Sequence, residues 1–287
     1  MSEFYLNNLI EEESSTHETI IKILQARGFL IDLVDGRYYL SDNAHPDDAE
    51  YLAKGLKDFG LGEIKNCSNR EATCRKSLRT YTCFSTYSKK RILPHTLEIV
   101  LKEDASVKSA TDLFQGIEIK GGEAGPCIIT WSQYKQGLYG RKVELAFLEP
   151  YIAFYVKAVS ACGVWTASSC DGNHDHGKRI YIEADRPSDI WHECLWRYLV
   201  QPRFESIAYI GKGIRVNDDN RAKIYQTVNE IAQFLYNKRI EIRGLKRRSV
   251  ENITKQYCKH ATYREISEFY RSECCRVLQG EPVRTHN

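Results

Sequence analysis

The first sixty positions change hydrophobic spacing twice. Ile20 and Leu24 fall one helical turn apart, behind a Ser15–Glu18 pair with capping-box spacing, and Gly28 supplies a stop. Phe29–Val34 and Arg37–Leu40 then read as strands around Asp35-Gly36, a pair suited to a type I′ turn, which needs positive φ at both central positions. Pro46 at a first helical position, with Asp47 and Asp48 at the positive end of the dipole, opens a second helix. Its stripe is Ala49, Leu52, Ala53, Leu56 and Phe59, and Gly60 ends it. The pattern predicts a helix–hairpin–helix module over residues 1–62.

Strand signals dominate the stretch up to 146. Thr80–Tyr87 is rich in Thr, Tyr and Phe, and Leu97, Ile99 and Leu101 alternate. Ile117–Lys120 and Cys127–Trp131 are two further strand candidates around a Gly- and Pro-rich segment at 121–126. That segment lacks the closing Gly-Lys-Ser/Thr of a phosphate-binding loop and reads as a turn. From Pro150 the order becomes helix (Ile152, Tyr155, Val156, Val159, stopped by Gly163), strand (Val164–Ser169), strand (Ile180–Ala184) and helix. The last of these starts at Ser188, carries Trp191, Cys194, Leu195 and Tyr198, and ends before Pro202. Caps within Asn217–Asn220 precede a long stripe of Ile224, Val228, Ile231 and Leu235. A second capping box, Thr262 with Glu265, opens a final helix bearing Ile266, Tyr270 and Val277. The expected fold class is α+β: the N-terminal helix–hairpin–helix module, a strand-rich middle, a helix–strand–strand–helix unit and a helical C-terminal part. Domain boundaries are expected at 1–62, 63–216 and 217–287.

Composition narrows the class. With 42% hydrophobic and 28% charged residues among 287, the chain has an ordinary globular balance, which argues against wholesale disorder. No apolar run reaches the roughly 18 residues that cross a bilayer. The start, Met1-Ser2-Glu3-Phe4-Tyr5, has no secretory pattern, so a cytoplasmic protein with no membrane association is expected. Ten cysteines without one Cys-x-x-Cys pair in a chain of this length point to buried thiols rather than a disulfide framework or structural zinc. The net charge of +3 conceals a split: residues 1–62 carry −7 and the remainder +10, as two modules with different surfaces would.

Three constellations hold candidate chemistry. Ser168–Gly177 offers Cys170, Asp171, His174, Asp175 and His176 between two strands. Cys170, His174 and His176 are candidate metal ligands, and Cys170 beside a histidine is a candidate nucleophile. The spacing matches neither a zinc finger nor a metalloprotease helix, so a polar hairpin loop without metal or cofactor is the expectation. Basic residues interleave with aromatics over 75–91, and a second basic run comprises Lys238, Arg239, Arg243, Lys246, Arg247 and Arg248. These suit phosphates and bases, a solvated face, or an acidic protein partner. Cys274-Cys275 lies on the last helix, where neighbours point about 100° apart, so one narrow stripe does not bury both. With Tyr257, Phe269 and Tyr270 they are the expected interface of a homo-oligomer.

The acidic N-terminal module, the Cys162-to-Cys194 helix–strand–loop–helix unit and the cysteine-bearing helical end together resemble the phage-encoded anti-Gabija family of anti-defence proteins. The resemblance implies a non-enzymatic inhibitor that oligomerises around a bacterial anti-phage nuclease complex and blocks its DNA access. Two other classes stand beside it: a metal-dependent hydrolase or nuclease using the Cys170–His176 loop, and a nucleic-acid-binding module using the basic runs.

Overall fold

The computed structural model describes residues 15–67, 94–120, 140–172, 180–184, 188–204, 207–210, 213–216, 220–256 and 263–279. Helices and two small antiparallel sheets make an α+β fold. The strand candidates at 80–87 and 127–131 and the 121–126 turn lie outside the described residues. The chain forms two compact units, and neither is continuous in sequence. The first comprises 1–122, 142–157 and 220–230; the second comprises 123–141, 158–219 and 231–287. The divisions therefore differ from those read at 62 and 216.

The first unit opens as its spacing predicts. Helix α1 (Thr16–Arg27) is capped by Ser15, whose Oγ accepts from the Glu18 N–H at 3.3 Å, and stops at Gly28 with φ 110°. β1 (Ile31–Val34) and β2 (Arg37–Leu40) pair antiparallel, with Asp35 and Gly36 at φ 50° and 75° in the turn. Helix α2 (Asp48–Asp58) follows. The sheet then grows to four strands, because β3 (Gly62–Asn66) and β4 (Leu97–Leu101) add to it in the order β1-β2-β4-β3. Helix α3 (Val107–Gly116), which packs on α1, was not expected from the strand-rich reading. Its signal is present: Ser106 accepts from the Ser109 N–H at 3.1 Å, and Ala110, Leu113 and Phe114 form the buried face. Residues 117–120 continue from its end without joining either sheet, so the strand expected there is absent; the Lys120 N–H instead donates to the Ala146 carbonyl at 2.8 Å.

Helix α4 (Ala153–Ala161) contributes residues 153–157 to the first unit and 158–161 to the second. In the second unit, β5 (Thr166–Cys170) and β6 (Ile180–Ala184) pair as expected, with a bulge after Thr166. Two short strands missed in the sequence, β7 (Ile207–Ile210) and β8 (Gly213–Val216), complete the order β5-β6-β8-β7. Helix α5 (Ser188–Leu195) runs into a wider π turn over Trp196–Val200. The Ser188 hydroxyl, at the start of this helix, accepts the Trp165 N–H at 2.6 Å. The long stripe of Ile224, Val228, Ile231 and Leu235 lies on α6 (Arg221–Asn237), whose residues 221–230 belong to the first unit, and a separate helix, α7 (Arg239–Gln256), follows after Lys238. Helix α8 (Tyr263–Leu278) packs on α5 and α7. Trp191, Trp196, Tyr236 and Tyr270 are the bulkiest fully buried apolar side chains of this unit. Among the described residues, no helix is long and apolar enough to cross a membrane.

Candidate functional site

Part of each constellation singled out for chemistry lies among the described residues. Cys170 ends β5, is 6% exposed, and its Sγ accepts the Gly172 N–H at 3.3 Å. Gly172 takes φ 78°, as a tight turn after a strand requires, and Asp171 is buried. His174 and His176 lie outside the described residues, as do Tyr257 and the basic run at 75–91.

The expected interface on α8 divides between core and surface. Tyr270 and Cys274 are fully buried within their own unit, so neither offers a surface to a second subunit. Phe269 and Cys275 are partly exposed. Within the chain, Cys275 Sγ lies 3.9 Å from Cys194 Sγ on α5. The helical spacing that separated the two thiols by about 100° is what sends one inward and one outward.

A second set of residues, unmarked by any motif, forms the most charged interior of the first unit. Asp48 is fully buried at the start of α2. Its carboxylate accepts the Leu145 N–H and the His45 N–H, both at 3.0 Å, and pairs with the buried Lys157 ammonium of α4. Burial pushes the Lys157 ammonium below its ordinary pKa, and Asp48 acts in the opposite direction. Arg27, also fully buried, has no hydrogen-bond acceptor on any guanidinium nitrogen among the described residues. Desolvation lowers its pKa to about 10 against the attraction of Asp48.

At the rim of this cluster, Glu144 accepts from Tyr51 Oη and from Lys120 Nζ, each at 2.8 Å. Burial alone would raise the Glu144 carboxyl; these two bonds outweigh it and hold it below its usual range. His45, Asp47 and Glu144 place one ligand atom each within 4.8 Å of one another, so they could hold a divalent cation by a nitrogen and two carboxylates. Two of the three ligand atoms are already engaged: Lys120 sits on Glu144, and the Asp47 N–H donates to His45 Nδ1 at 3.3 Å. Its chemistry is that of a structural salt-bridge network more than of an open catalytic centre.

The second basic run is not a uniform basic face. Lys246 is fully buried and donates to the Gly163 carbonyl at 2.6 Å, with burial pushing its pKa down to about 7. Arg239 lies over the Tyr236 ring at 4.1 Å, and Lys238 pairs with Glu241 at 3.2 Å. What α7 does present is a stripe of one helical face: Ile240, Gly244, Arg247, Arg248 and Glu251 are exposed, while Ile242, Lys246, Val250 and Ile253 on the other side are buried. Ile240 is 69% exposed, the most exposed large apolar side chain among the described residues. No protein-family model matches the chain, and comparison with curated proteins and with solved structures finds no match either.

Proposed function

We propose that the protein acts by binding an acidic protein partner through the exposed face of α7, and that its role is non-enzymatic inhibition of a bacterial anti-phage nuclease complex. The observation that carries the binding reading is the exposed stripe of Ile240, Gly244, Arg247 and Arg248 on a helix held in place by its buried side. An exposed aliphatic side chain with two arginines two turns further along the same helical face combines an apolar anchor with a basic rim. Arginine also pairs bidentately with carboxylates, which gives such a face both steering and selectivity. The inhibitory role and the phage origin rest on the resemblance to the anti-Gabija family, and self-association belongs to the same proposal. Tyr270 and Cys274 are buried, so of the described residues of α8 named for self-association, Phe269 and Cys275 are the ones partly exposed.

The test is co-elution of the purified protein with a purified Gabija complex on size exclusion, together with DNA cleavage by that complex. Wild type is expected to co-elute and to suppress cleavage, and an Ile240→Asp, Arg247→Glu, Arg248→Glu variant to lose both while keeping its thermal unfolding midpoint. A wild type that ignores the complex but binds DNA with steep salt dependence would replace this reading with the nucleic-acid one.

A further inference from the structure

The thiols of the second unit lie closer together than their sequence positions suggest. Cys194 on α5 and Cys275 on α8 are 81 residues apart, yet their Sγ atoms are 3.9 Å from each other. That is van der Waals contact between two unbridged sulfurs, against about 2 Å in a disulfide. The helices that carry them pack together, which holds the two thiols near each other. Neither cysteine is engaged in a disulfide.

We infer that Cys194 and Cys275 form a redox-active pair that peroxide converts to an intrachain disulfide joining α5 to α8. Their environments assign the roles. Cys275 is the partly exposed thiol and the one an oxidant reaches, while Cys194 is 2% exposed behind it. Cys194 accepts from Cys274 and is further favoured by Cys275 and the nearby Arg271 guanidinium; together these outweigh burial and lower its pKa. Burial raises Cys275 and, more strongly, Cys274. Tyr198 hydrogen-bonds to Cys275 and partly offsets that rise. Arg271 is itself fixed by an ion pair to Glu193 at 2.5 Å, whose carboxylate acts on Cys194 in the opposite direction.

The chemistry balances with hydrogen peroxide as the oxidant. The Cys275 thiolate, the form Tyr198 favours, attacks one peroxide oxygen; the S–O bond forms, the O–O bond breaks, and the hydroxide released takes up the proton Cys275 gave up, leaving a sulfenic acid and one water. Cys194, the more readily ionised thiol, then attacks the Cys275 sulfur; the S–S bond forms, the S–O bond breaks, and hydroxide leaves to collect the proton Cys194 gave up. Two thiols and one peroxide thus give one disulfide and two waters. Cys274, buried and held protonated, supplies a hydrogen bond and takes no part in the bond formed.

The experiment treats the reduced full-length protein with stoichiometric hydrogen peroxide, blocks remaining thiols, and maps peptides by mass spectrometry without reduction. The expected result is a linked Cys194–Cys275 peptide pair lighter by two hydrogens, on a monomer-sized band, reversed by dithiothreitol. Oxidation is also expected to raise the thermal unfolding midpoint, since the bond ties α8 to α5 across a long loop. Cys275→Ser is expected to abolish the link, and Cys274→Ser to retain it. A Cys194–Cys274 bond, a disulfide between two chains, or retention of both thiols after peroxide would each overturn the assignment. Wild-type peptide mapping decides the matter even if a variant fails to fold.

Discussion

At the scale of single residues, the buried charges of the first unit set the strongest expectations. Asp48 answers two backbone N–H groups and the Lys157 ammonium, with the Arg27 guanidinium nearby. Removing one partner of a buried ion pair strands the other in a poor solvent and costs about 3–5 kcal/mol. Asp48→Asn leaves two cations without their anion, so denaturant unfolding is expected to show a loss of that size. Arg27→Met removes a buried cation that has no hydrogen-bond acceptor among the described residues and that opposes the charge on Lys157. Its expected effect is within about 1 kcal/mol of zero or stabilising. If Arg27→Met proves as damaging as Asp48→Asn, the guanidinium has a partner that this account misses.

Lys246 gives a pH signature of the same kind. Its pKa of about 7 in the fold lies well below the ordinary lysine value, so between those two limits the unfolded chain holds a proton that the native state lacks. Stability from this group is fully present above the unfolded pKa and is lost as pH falls toward 7. The difference in stability between Lys246→Met and wild type should therefore change sharply from pH 7 to pH 10, with wild type gaining on the variant as pH rises. A pH-independent difference would show that Lys246 stays charged in the fold. His192, buried with its Nδ1 3.2 Å from the Tyr209 hydroxyl and its pKa pushed down to about 3, adds acid sensitivity below its ordinary value.

At the scale of elements, glycine positions with different geometry predict opposite signs for one substitution. Gly28 ends α1 at φ 110°, and a Cβ there would lie 2.8 Å from both Ala153 Cβ and Leu145 Cδ1. Strain and crowding together should make Gly28→Ala cost about 2 kcal/mol or more. Gly244 sits mid-helix in α7 with open space around it, so Gly244→Ala should stabilise by up to about 1 kcal/mol. Paired thermal melts check the order; equal effects would mean that neither local geometry governs.

These elements also show what the sequence discloses. Local chemistry was legible: the Ser15 cap, the Asp35-Gly36 turn, the stops at Gly28 and Gly163, and the β5–β6 pair stand where spacing puts them. Helix α3 was obscured by neighbouring strand-like segments, although Ser106 and its apolar face announce it. β7 and β8 are only four residues each, too short for alternation to stand out. Ion pairing across 109 residues leaves no local spacing, yet Lys157 in an otherwise apolar helix is a clue that a counter-charge must be found inside.

At the scale of the whole molecule, both units are assembled from separated stretches of chain, and both draw on helices that continue from one unit to the other. Boundaries placed by composition follow the sequence, whereas the units follow pairing and burial between distant segments. The thiols illustrate the same point: packing of α8 on α5 brings Cys275 to Cys194, 81 residues away in the chain. The acidic and basic halves of the sequence likewise did not show which cations reach the surface, since Lys246 is interior and Arg247 and Arg248 are exposed.

The central claim is that the exposed α7 face binds an acidic protein, and the most direct measurement is calorimetric titration of this protein into a purified Gabija complex with single charge and apolar variants. Ile240→Asp is expected to weaken binding by at least ~100-fold, as loss of an interface anchor does. Arg248→Glu is expected to weaken it by at least ~10-fold, with the penalty shrinking as salt is added. Wild-type affinity retained by both variants would contradict the account and move the binding surface elsewhere on the molecule.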